Sequence, residues 1–126
     1  MDGRILFSMN DFATTFFAAL ADATRLRTLV LLATRGELCV CRLVGPLGVS
    51  QPKMSRHLAF LRDAGIVRDR RQGQWVHYRV SEALPDWAVE VLASTASALA
   101  GEEPHRGDLA RLDGARLDGA GDSAAA

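Results

Sequence analysis

A mainly α-helical fold with one small β-hairpin is what residues 1–100 predict, and three observations carry the prediction. Apolar residues recur at helical spacing in several short stretches. One stretch, "VSQPKMSRHLAFLRDAGIV", has both helix ends written into it. Two arginine-rich runs of β-formers flank Gln72 and Gly73. The chain has 126 residues, 48% of them hydrophobic, which suits one domain with a single modest core. No window approaches the roughly 18 consecutive apolar residues of a membrane span, and "MDGRILFSMNDF" lacks a long apolar run before a cleavage site. A cytoplasmic protein is therefore expected. In that reducing setting the two cysteines, Cys39 and Cys41, are expected to be free thiols, metal ligands or redox sensors rather than a structural disulfide.

The elements follow in order. Asn10 or Asp11 can cap a first helix carrying Phe12, Phe16, Phe17 and Leu20, whose phenylalanines need either the core or a dimer partner. Asp22 can cap a second, in which Leu26, Leu29, Val30 and Ala33 recur up to Gly36. Glu37 to Val44 reads as a third short helix stopped by "GPLG". The fourth is the best specified: Ser50 offers an N-cap oxygen, Pro52 stands in the first turn, and Gly65 takes the left-handed position after the last. Its Met54, Leu58 and Leu61 form a stripe to bury, while Lys53, Arg56, His57 and Phe60 lie on another side. A hairpin then turns at Gln72-Gly73, and a last helix starts near Pro85 or Asp86 with Trp87, Val91 and Leu92 on one side. Helix-turn-helix followed by a basic hairpin is the winged helix-turn-helix pattern. Residues 101–126, which repeat "ARLDGARLDGA" and lack aromatic and β-branched residues, are expected to form a disordered acidic tail.

Net charge is zero, but the charges are segregated. Residues 50–80 carry seven basic residues against two acidic ones, whereas residues 101–126 carry six acids against three arginines. A basic middle of this kind is a phosphate-binding candidate. A helix beginning at Gln51 can enter the major groove of operator DNA with its first turns towards base edges, which makes Ser50, Gln51, Lys53, Ser55, Arg56 and His57 the candidate contacts. In the wing, Arg70, Arg71 and Gln74 can reach phosphates or the minor groove. One such helix seldom supplies enough affinity, so a homodimer on a two-fold operator is expected, with the first and last helices as its interface.

"LADATRLRTLVLL", "ELCVCRL", "SQPKMSRHLAFLRDAGIV" and "RRQGQWVHYRV", collinear over roughly residues 10–95, resemble the ArsR/SmtB family of winged-helix repressors, and its arsenical-resistance members in particular. The resemblance implies a homodimeric repressor that leaves operator DNA when arsenic(III) or antimony(III) binds Cys39 and Cys41, with no constitutive cofactor. The family pattern reads "ELCVCDLC"; here Arg42 replaces the acid and Val44 the third cysteine, so a third arsenic ligand must be hydroxide, a small thiol or a group elsewhere in the dimer. The family's other site, zinc on the last helix, is not expected, because residues 86–100 contain no histidine.

Soft thiolates select thiophilic ions, a helix N-terminus favours the anion, and Arg42 is expected to act in the same direction. Within a regular helix, residues two apart point about 200° away from each other. On the reading of Glu37 to Val44 as helix, the two sulfurs share one arsenic only if the first turn distorts. Other functions stand beside this one. The same fold can sense oxidants or reactive sulfur, though cysteines so close make strained disulfides. A thiol oxidoreductase calls for Cys-x-x-Cys in a βαβ setting, which is absent, so no enzyme activity is expected.

Overall fold

The computed structural model describes residues 8–117. Helix α1 (Met9–Leu20) is opened by a reciprocal cap: the Asp11 N–H donates to Ser8 Oγ and the Ser8 N–H to Asp11 Oδ2, each at 3.1 Å. The cap is thus Ser8 rather than Asn10 or Asp11, and Asp11 is its return partner. Helix α2 (Ala23–Arg35) starts at Asp22, whose Oδ1 accepts the Arg25 N–H at 3.0 Å, and ends at Gly36 with φ 85°. Both limits agree with the sequence.

The next segment differs from the expected single helix over Glu37 to Val44. Leu38 and Cys39 form a short strand, β1 (Leu38–Cys39), and helix α3 (Val40–Leu47) follows. The cause is non-local: Leu38 and Cys39 pair with Tyr78 and His77 of a later strand, which holds their backbone extended. Helix α3 also runs on through Gly45 and Pro46 to Gly48, which closes it in the left-handed region at φ 65° and ψ 33°.

Helix α4 (Gln51–Asp63) has the predicted ends, with Ser50 capping Lys53 and Gly65 at φ 81°. Strands β2 (Val67–Gln72) and β3 (Trp75–Val80) form the hairpin, with Gly73 at φ 62° in its turn. The antiparallel sheet has the order β1-β3-β2, so the cysteine-bearing strand lies on one edge of the wing. Helix α5 (Asp86–Leu99) follows, and Phe12, Phe16 and Phe17 of α1 gather round its Trp87 with ring centroids 5.5–6.0 Å away. Phe16 is fully buried, but Phe17 is 50% exposed, so the phenylalanines divide between core and surface.

Helix α6 (His105–Leu117) corrects the expectation of disorder from residue 101 onwards. Leu109 and Leu112 are buried, and Asp108 and Asp113 bind Arg27 and Arg35 of α2. A composition argument counts such acids and arginines as solvated. Here they have partners about 80 residues away in the chain. Residues 118–126 of the expected tail lie outside the described residues. One core joins Phe16, Leu29, Leu31, Leu43, Met54, Leu58, Leu61, Ile66 and Leu92 with Leu112, so α6 is continuous with it.

Candidate nucleic-acid interface and thiol site

Helix α4 is held by the burial of Met54, Leu58 and Leu61 against its neighbours, α3 and β2 among them. That burial turns Gln51, Lys53, Ser55 and Arg56 to solvent, with Ser50 exposed at the cap and His57 half-buried. The predicted contacts therefore form one exposed surface at the start of the helix. Sequence reasoning missed a neighbour of it. The Arg25 guanidinium lies 4.1 Å from the centroid of the Phe60 ring, which couples the start of α2 to the open face of α4. The Asp22 carboxyl is held below its ordinary range, first by the Arg25 backbone N–H and further by the charges of Arg25 and His57. No local pattern signals a contact between residues 25 and 60.

The wing is less basic in space than in sequence. Arg71 and Gln74 are exposed near the turn, but Arg70 Nη2 lies 2.6 Å from Glu37 Oε1, and its Nη1 donates to Gln72 Oε1 at 3.0 Å. Arg79 faces both Glu37, at 3.6 Å, and Glu82, at 3.0 Å; Arg68 lies 4.0 Å from Glu82. Glu37 and Glu82 stand outside the 50–80 window, yet between them they pair with three of the hairpin's four arginines and offset two of those three charges. The hydrogen bond from Arg70, reinforced by the charges of Arg70, His77 and Arg79, keeps the Glu37 carboxyl below its ordinary range.

Neither Cys39 nor Cys41 is in a disulfide among the described residues. Cys39 ends β1 opposite His77 and is also the N-cap of α3: its backbone is extended (φ −69°, ψ 146°), and its Sγ accepts the Cys41 N–H at 3.3 Å. Cys39 is 1% exposed, whereas Cys41 is exposed. The geometric objection to a shared ligand is therefore not that of two residues inside one helix. A shared ion instead has to draw on the buried Cys39 sulfur, the same atom that accepts the Cys41 N–H at the helix start. Among the described residues, no three His, Cys, Asp or Glu side chains are grouped to hold a metal ion. Arg42, expected to act on the thiols, is buried; its Nη2 donates to the Leu112 carbonyl of α6 at 3.0 Å.

Residues 22–69 match the family model described as bacterial regulatory protein, ArsR family. An arsenic resistance transcriptional regulator of Pseudomonas putida is 55% identical over 82 residues, which are 65% of this chain and 71% of that protein. A homodimeric winged helix-turn-helix DNA-binding domain from Mycobacterium bovis has a similar structure, with a TM-score of 0.61 at 26% identity over 83% of this chain and 96% of its own. The AntR antimony-specific transcriptional repressor superposes with a TM-score of 0.60 at 30% identity, covering 78% of this chain and 87% of the repressor. No helix among the described residues is long and apolar enough to cross a membrane.

Proposed function

Because the chain belongs to the ArsR family of bacterial regulatory proteins, we propose that it is a homodimeric repressor released from operator DNA when arsenic(III) or antimony(III) binds Cys39 and Cys41. The observation that carries this reading is the thiol pair at the N-terminus of α3, a helix packed directly against α4. Each arsenic–sulfur bond replaces one hydroxide of arsenous acid, and the thiol proton leaves with that hydroxide as water. Two protein sulfurs leave the third arsenic position to hydroxide, a small thiol or a group from the partner subunit. To form the second bond, Cys39 gives up its cap on Cys41 and disturbs the first turn of α3. The support of α4 moves with it. Inducer and DNA then favour different conformations, and the coupling is reciprocal.

On this reading Ser50, Gln51, Lys53, Ser55, Arg56 and His57 face the major groove, while Arg70, Arg71 and Gln74 approach the backbone. The exposed edge of α1 at Met9 and Phe17, beside α5, supplies the dimer surface. The test is fluorescence anisotropy of a labelled promoter fragment from upstream of the chain's own gene, titrated with arsenite, antimonite, zinc, cadmium and peroxide. Arsenite and antimonite should release the DNA from wild type but not from Cys39→Ser or Cys41→Ser, both of which still bind it. Release by peroxide alone would transfer the cysteines to oxidant sensing.

A further inference from the structure

The geometry points to helix α6 as a brace on the sensor helix α3, fastened through Arg42 and Arg111, that sets how much inducer is needed for release. The inference rests on the proposed function for its last step only. Helix α6 packs on both α3 and α2. Asp108 is fully buried and joins them: its carboxylate accepts from Arg27 of α2 at 2.6 and 2.8 Å and from Arg111 at 2.6 Å. The same Arg111 donates through Nε to the Pro46 carbonyl near the end of α3, at 2.9 Å. At the other end of α3, Arg42 Nη2 donates to the Leu112 carbonyl at 3.0 Å. The sensor helix is thus held at both ends.

Arg42 identifies the load on this brace. It is 6% exposed; among the described residues its Nε has no hydrogen-bond partner, and its Nη2 donates to the Leu112 carbonyl of α6. A backbone carbonyl in the middle of that helix, not a carboxylate, is thus the acceptor that faces the buried guanidinium. A buried guanidinium is costly to leave without such an acceptor, so Arg42 and α6 hold or release each other together. Arg42 follows Cys41 directly and shares the first turn of α3 with it. Drawing Cys39 and Cys41 onto one ion disturbs that turn. The contacts of α6 oppose the change, and their strength is subtracted from inducer binding.

The test uses the full chain with Arg42→Leu and Arg111→Ala; Arg111 is half exposed, so its loss spares the core. Hydrogen exchange over residues 105–117 reports docking of α6, and the alkylation rate of Cys39 in a Cys41→Ser background reports opening of the first turn. Both variants should lose protection in α6, and Cys39 should react about fivefold faster or more, with no inducer present. The arsenite concentration for half-release of DNA should fall by about the same factor. Loss of α6 protection with unchanged Cys39 reactivity would overturn the brace. Faster Cys39 alkylation, in a wild type that arsenite does not release from DNA, would leave the brace standing and remove the proposed inducer.

Discussion

Glu37 shows how one side chain connects the thiol segment to the wing. It directly precedes β1, which ends in Cys39, and it holds Arg70 at 2.6 Å and Arg79 at 3.6 Å. Its carboxyl is depressed, chiefly by the Arg70 hydrogen bond, so the stabilisation it gives is complete above its ordinary value of 4.5 and is lost as pH falls below that. Thermal unfolding from about pH 5 down to about pH 3 should therefore weaken wild type more than Glu37→Gln. Neutralising Glu37 also removes a counter-charge that competes with phosphate for Arg70. Non-specific duplex should bind roughly 1.5- to 5-fold more tightly to Glu37→Gln, the range that exposed ion pairs of about 0.2–1 kcal/mol allow. Unchanged affinity would place Arg70 outside the DNA contact. None of this was legible locally, because a two-residue strand has no periodicity to read, and Glu37 meets Arg70 only once β1 has paired with β3.

Among the elements, α3 and its turn into α4 are held by backbone conformation as much as by packing. Gly48 lies at φ 65° and ψ 33°, in the left-handed region that closes α3. Gly48→Ala should lower stability by about 1 kcal/mol through that backbone conformation. Chemical denaturation of the variant checks it. The elements that the sequence specified well, α2, α4 and the β2–β3 hairpin, each carry their own stop and start residues: Asp22, Ser50, Gly65 and Gly73. Those that it specified poorly depend on distant partners. The start of α3 moved because of β3, and α6 exists against Arg27, Arg35 and Arg42 rather than by its own composition.

Over the whole molecule, a zero net charge coexists with a basic face because acids and arginines are placed by the fold, not by sequence windows. The candidate contacts on α4 were legible because one helix with a buried stripe fixes which residues remain outside. The balance of charge on the wing was not, because Glu37 and Glu82 reach it only through the sheet and the loop after it. The proposed dimer places a further demand on the surface. A dimer formed across α1 and α5 should lose about 1–2 kcal/mol with Phe17→Glu, seen as a rise in monomer by sedimentation equilibrium. The last prediction combines charge with assembly. Arg71 is exposed beside the turn while Arg70 is held by Glu37, so the two arginines should differ in how they couple to salt. Each phosphate neutralised contributes about 0.9 to the slope of log affinity against log salt, and a two-fold dimer presents two wings. Arg71→Ala should thus lower the slope by about 1.8 per dimer. Arg70→Ala should change it less, because Glu37 already supplies the counter-charge that DNA would otherwise provide. Equal losses from the two substitutions would mean that operator DNA displaces Glu37 on binding, and that the wing charge of the free protein is not the charge that the DNA meets.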